Sequence, residues 1–265
     1  MASTLATTSS DRLDLKFAEL RSAGRKALVC YVTAGYPDYA QSLDLICGLE
    51  DAGADVIEVG VPFSDPIADG PVIQESSHRA LALGMNLDRT LDLVTDARSE
   101  IPIVLFSYLN PILSAGPDVL ERSRSAGVDG ILVTDLPLGA DPSRETWLAS
   151  SGLAFIRLVA PTTPLERMRE IALKGSGFVY LISRMGVTGE QKMVNPELAA
   201  TASRLRSVTE LPICIGFGIS EASQARETAR MADGIVVGSA IVRESGVDIA
   251  RAISLTKSFR AALDG

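Results

Sequence analysis

Eight short runs of β-branched and aliphatic residues, each trailed by a stretch of helical character, constrain the fold of this 265-residue chain more than any other feature. They are Ala27–Thr33, Val56–Val61, Ile101–Tyr108, Gly130–Thr134, Ala154–Ala160, Phe178–Ser183, Leu211–Gly216 and Gly234–Gly238. The runs lack polar/apolar alternation, the mark of strands buried on both faces of a parallel sheet. Between them apolar residues recur at helical spacing, as at Leu43, Ile46 and Cys47, or Leu165, Met168 and Ala172. Eight strand–helix units with no edge-strand signature favour closure into a (β/α)₈ TIM barrel, an α/β fold of about 250 residues. An open doubly wound sheet is disfavoured, because no G-x-G-x-x-G turn follows the first run. The expected organisation is one barrel over residues 11–265 and a flexible tail over 1–10. An extra N-terminal helix, Asp11 to Ala23, should plug the barrel floor.

Composition narrows the partners. A formal charge of −8 argues against nucleic acid, whose phosphates need a basic surface. No apolar run approaches the roughly 20 residues that cross a bilayer, so no membrane is expected. Cys30, Cys47 and Cys214 have no spacing that suggests disulfides or a metal knuckle, which fits a reducing, cytoplasmic setting. Cys30 and Cys214 sit inside apolar runs and read as small core residues. The only histidine, His78, cannot make a His-rich zinc site or a Ser-His-Asp triad, so no metal is expected. None of the five lysines stands at a strand's carboxyl end, where a Schiff-base mechanism would need one.

In such a barrel, function sits at the carboxyl ends of the strands. Glu58 interrupts the second run, and period-two alternation puts it on one face with Val56 and Gly60. It either points into the lumen or pairs with an arginine at the helix layer. In the lumen, desolvation would raise its pKa and suit it to proton transfer near neutrality. The loop that follows carries Asp65 and Asp69 among prolines and a glycine, so each could serve a ligand or merely form a turn. Asp135, just past the fourth run, reads as a turn or cap residue. Glycine-bearing turns follow runs six, seven and eight: Arg184 to Gly189, Gly216 to Ser220, and Gly238 to Ala240. Glycine lets backbone N–H groups approach an anion, and barrels often grip phosphate after strands seven and eight. Carboxylate acid–base chemistry on a phosphate ester is the remaining reading. Arg157 inside the fifth run has no account beyond an ion pair.

The segment Asp55 to Pro71, with Ala160 to Pro164, Tyr180 to Gly189 and Gly216 to Ser220, resembles the tryptophan synthase α subunit family. The likeness runs in order from about residue 11 to the C-terminus. It implies a carbon–carbon lyase of tryptophan biosynthesis that cleaves indole-3-glycerol phosphate, by a retro-aldol step, to indole and glyceraldehyde 3-phosphate. Carried over, the catalytic residues would be Glu58, shuttling the proton, Asp69, stabilising charge at the indole N–H, and Tyr180, lining the site beside Glu58. Gly189, Gly218, Gly238 and Ser239 would hold the phosphate, Phe217 would pack on the indole, and Thr188 would bond the aspartate when a lid closes. The resemblance further implies a β subunit in an α2β2 assembly, contacted through Asp65, Asn110 and Pro111. Pyridoxal phosphate is expected only in that partner, and no cofactor in this chain. A stand-alone lyase, or a weakly active protein that mainly activates a β subunit, would share most of these motifs. Two departures stand out: Leu138 to Asp141 replaces a usual Pro-Glu-Glu-like run, and Tyr31 stands where the family often has Phe.

Overall fold

A computed structural model describes residues 9–182, 196–216 and 218–265. Eight parallel strands close in sequence order into a barrel: β1 Ala27–Thr33, β2 Val56–Gly60, β3 Ile103–Ser107, β4 Gly130–Val133, β5 Ala154–Val159, β6 Val179–Ile182, β7 Ile213–Gly216 and β8 Gly234–Val237. Every strand matches an expected run to within two residues at either end. The described helices are α1 Ser9–Ser22, α2 Tyr39–Asp51, α3 Pro71–Ala82, α4 Leu87–Ala97, α5 Leu109–Ser114, α6 Val119–Ala126, α7 Pro142–Ala149, α8 Leu165–Leu173, α9 Pro196–Arg206, α10 Ala222–Ala229, α11 Ser239–Ser245 and α12 Ile249–Asp264.

Alternation along the strands divides the core in two. Val29, Val56, Val104, Leu132, Ile156 and Cys214 face the lumen. There Leu13, Phe17 and Leu20 of α1 close the floor, with Phe17 tilted against Phe178 at 5.6 Å. Leu28, Cys30, Ile57, Val59 and Leu105 face the helix layer instead. Two helical faces lie differently from expectation. α2 buries Ser42, Leu45, Ile46 and Leu49 and leaves Cys47 exposed, while α8 buries Met168, Ile171 and Ala172 and leaves Leu165 exposed. Ile46, Met168 and Ala172 are buried as the spacing selected, and Cys47 and Leu165 mark the edges where the selected face and the packed face part. Asp141, in the departing segment 138–141, caps α7 by accepting from Ser143 and Arg144 N–H.

The floor carries a device that repeats four times. Asp55, Asp129, Ser176 and Asp233 lie just before even-numbered strands, three of them immediately before and Ser176 three residues before β6. Each donates its N–H to the carbonyl of a residue at or near the start of the preceding odd strand: Leu28, Ile103, Phe155 or Ile213. Each then takes that same residue's N–H on its side-chain oxygen, at 2.7–2.9 Å. The three aspartates also bind arginines: Arg260 from α12, Arg12 from α1 and Arg206 from α9. This reciprocal clasp satisfies main-chain donors at the buried strand starts.

Arg157 points from β5 into the helix layer. It meets Glu145 of α7 at 2.6 Å, and its guanidinium stacks 4.0 Å from the Phe155 ring centroid. The arginine–carboxylate pair considered for Glu58 therefore occurs here, on the outward face of a different strand.

Candidate active site

The upper lumen opens into a cavity of about 530 Å³ at the carboxyl ends of the strands. Glu58 borders it from β2, beside Tyr31, its register partner on β1. The Glu58 side chain is fully buried, and neither carboxylate oxygen has a hydrogen-bond partner among the described residues. Burial alone lifts its pKa from the ordinary carboxylate range to about 8, since nothing charged offsets the loss of water. Near neutrality such a group is mostly protonated and able to give up or regain its proton.

Two tyrosines share this layer. Tyr31 and Tyr180 each lean toward the mouth across a glycine of the following strand. A Cβ on Gly60 would lie 2.0 Å from the Tyr31 hydroxyl, and one on Gly216 would lie 2.1 Å from that of Tyr180. Those strand positions accept only glycine while the phenols stay in place. Tyr31 also meets Phe106 edge-on at 5.2 Å, so its hydroxyl adds a polar tip without displacing the aromatic wall.

Asp69 reaches the cavity from the loop between β2 and α3. It is half-buried, and its Oδ2 accepts from the Tyr108 hydroxyl at 3.0 Å. Burial raises its pKa, and the Tyr108 bond works against that rise. Gln74 of α3 donates to the carbonyls of Pro66 and Asp69, tying the loop down from the other side. Asp65 is exposed and accepts from the Ser64 hydroxyl at 2.6 Å, away from the cavity lining. Asp135 does act as a cap: its Oδ1 accepts from Leu109 N–H, the first amide of α5, at 2.7 Å.

Gly216, Gly218, Gly238 and Ser239 border the same cavity, so the turns after β7 and β8 share it with Glu58 and Asp69. Among the described lining residues none is a cation, so the polar donors on this side are main-chain amides and the Ser239 hydroxyl. Thr188, Gly189 and Phe217 lie outside the described residues, as does the rest of the turn after β6. Sequence reasoning missed Ile73, Thr134, Leu158 and Ile182 as lining residues, and placed Tyr108, which bonds Asp69, only at the end of the third run. Thr134 and Tyr108 stand one residue past β4 and β3, so the strand-end rule applied to every strand would have found both.

A family model described as tryptophan synthase alpha chain matches residues 17–262. The chain belongs to the tryptophan synthase α chain family. The α chain of Desulfatibacillum aliphaticivorans is 46% identical over 86% of this chain and 87% of its own length. That of Citrifermentans bemidjiense is 48% identical over 88% of each. Among solved structures, the α subunit of Legionella pneumophila superposes with a TM-score of 0.88 at 34% identity, covering 98% of this chain and 99% of its own. A Mycobacterium tuberculosis tryptophan synthase structure gives 0.88 at 33% identity, covering 95% and 98%. As an α chain, the protein is a carbon–carbon lyase of tryptophan biosynthesis that cleaves indole-3-glycerol phosphate to indole and glyceraldehyde 3-phosphate. No described helix is long and apolar enough to cross a membrane.

Proposed function

We propose that Glu58 carries the proton traffic of this cleavage and that Asp69 offsets the charge it creates. Protonated Glu58 would give its proton to indole C3, which places positive charge on the ring nitrogen. The resulting carboxylate would then take the proton of the glycerol hydroxyl at the carbon joined to C3. The O–H electrons become the aldehyde C=O, the carbon–carbon bond breaks, and its electrons return to the ring. One carboxylate thus gives a proton and regains one, and no cofactor enters this chain's own chemistry. Asp69, facing the ring N–H, would favour the charged intermediate over the neutral substrate. Tyr180 would wall the site beside Glu58. The phosphate would lie against the amides of Gly218, Gly238 and Ser239, with Phe217, Thr188 and Gly189 completing the site as the family resemblance implies.

The observation that carries this reading is a fully buried carboxylate, without a partner among the described residues, bordering a cavity also lined by the glycine-bearing turns after β7 and β8. Glu58→Gln, assayed by indole release from indole-3-glycerol phosphate, tests it directly. Turnover near wild type in a folded variant would remove Glu58 from the mechanism.

The second part of the proposal is assembly, in the cytoplasm, with a pyridoxal-phosphate β subunit as α2β2, the indole passing to that partner. Asp65 and Asn110 are exposed and Pro111 is half-exposed. The Phe63–Tyr108 ring contact at 5.1 Å joins the two segments that carry them. Adding a β subunit should accelerate indole-3-glycerol phosphate cleavage and shift sedimentation to the mass of a heterotetramer. Unchanged rate and mass would refute this part alone.

A further inference from the structure

We propose that Tyr108 is a positioning residue that holds Asp69 by one carboxylate oxygen and leaves the other for the substrate. The inference rests on the role assigned to Asp69 above. Tyr108 is 3% exposed and stands at the end of β3, immediately before α5, whose first amide is fixed by Asp135. From that rigid point its ring packs on Phe63, and its hydroxyl meets two successive residues of the Asp69 loop. Ala68 N–H donates to the hydroxyl oxygen at 2.9 Å, and the hydroxyl is 3.0 Å from Asp69 Oδ2.

This pair of contacts sets a direction. With the Ala68 amide supplying a proton to the phenol oxygen, the phenol's own proton is turned toward Asp69. A donor aimed at a carboxylate favours its charged form, the form that can offset positive charge on an indole ring. The other titratable groups lining the cavity are Tyr31, Glu58 and Tyr180, and no described lining residue is cationic. Tyr108 is therefore the described group that opposes the effect of burial on Asp69. It also keeps Asp69 Oδ2 occupied, so a substrate N–H is left Oδ1.

The test is a double-mutant cycle on Tyr108→Phe and Asp69→Asn, read by indole release with and without a β subunit. Tyr108→Phe keeps the ring and its Phe63 contact, so circular dichroism and thermal melting should report a folded chain. Its kcat should fall about tenfold, as for loss of a hydrogen bond to a charged group, with KM changed less than about twofold. The acidic limb of its kcat/KM profile should move to higher pH, because Asp69 loses the donor that favours its ionised form. In the Asp69→Asn background the same change should add less than about twofold, since both act through one group. If Tyr108→Phe turns over like wild type while Asp69→Asn is impaired, the positioning role is refuted and Asp69 keeps its own. An equal loss in both backgrounds refutes it too, because Tyr108 would then act independently of Asp69. Wild-type turnover in Asp69→Asn would overturn the reading beneath both.

Discussion

Asp55, immediately before β2, and Glu58, in the middle of that strand, sit three residues apart, about 10 Å by strand geometry, and the barrel treats them in opposite ways. At the floor Asp55 is buried but answered: it accepts from Leu28 N–H at 2.8 Å and from Arg260 at 2.9 Å. Burial pushes its pKa up, and those two partners pull it back. Asp129 repeats the arrangement with Ile103 and Arg12, and burial carries its pKa to about 6. At the mouth Glu58 has no such answer among the described residues, and its pKa reaches about 8. A buried polar group without a partner destabilises a fold by about 1–3 kcal/mol or more. The floor avoids that penalty four times over, while the mouth retains it at the residue proposed to move the proton. Stability and chemistry are thus segregated by height along the same barrel.

The comparison breaks most visibly if Glu58 proves dispensable. Glu58→Gln should lower indole release by about 10³-fold, within the range for loss of a general acid–base, in a chain that still folds. Replacing its floor counterpart should do the reverse. Asp55→Ala leaves Arg260 with Asp264 as its one carboxylate and strips the Leu28 amide of its side-chain acceptor, and should cost about 3 kcal/mol in urea unfolding. Turnover per folded molecule should stay close to wild type, and a large loss of kcat in the folded fraction would erase the division of labour.

A third measurement sharpens the contrast through pH. The folded chain holds the Glu58 proton more tightly than the unfolded chain, where the carboxyl titrates near its ordinary value of 4.5. Folding stability from this group is therefore full at low pH, falls as pH rises from about 4.5 to about 8, and is flat beyond. Glu58→Gln has no such loss, so it should be more stable than wild type by about 5 kcal/mol at pH 9, with the difference gone at pH 4. Parallel stability curves for the two proteins would show that Glu58 is not desolvated. The smallest effect belongs to the neutral member of the floor set. Ser176→Ala removes one uncharged bond to Phe155 N–H and should cost about 1 kcal/mol, well below Asp55→Ala. Equal costs would mean that the arginines add nothing to the clasp.

Much of this was legible before the structure. Strand runs fall within two residues of their observed bounds because β-branched content and turn residues are local signals. Glu58 declared itself as the one carboxylate inside an apolar strand, and Asp69 as a loop residue next to it. Less legible were Cys47 and Leu165, since spacing names a helix face only to within one position and the packed neighbour chooses. The floor clasp left a trace in Ala54-Asp55-Val56-Ile57, Val128-Asp129-Gly130-Ile131 and Ala232-Asp233-Gly234-Ile235, a recurrent aspartate before a strand. Its meaning could not be read there, because Arg260 lies 205 residues from Asp55. Arg157 was opaque for the same reason, its partner Glu145 lying on another element.

The order of residues alone determined the eight strand–helix units, the strand face that Glu58 shares with Val56 and Gly60, and the family to which the chain belongs. Alternation and composition act over a few neighbours and need no knowledge of what packs against them. Only closure of the barrel decided which carboxylates are answered and which is left bare. Proton affinity depends on the water and charge within a few ångströms, and those are supplied by strands and helices distant in the chain.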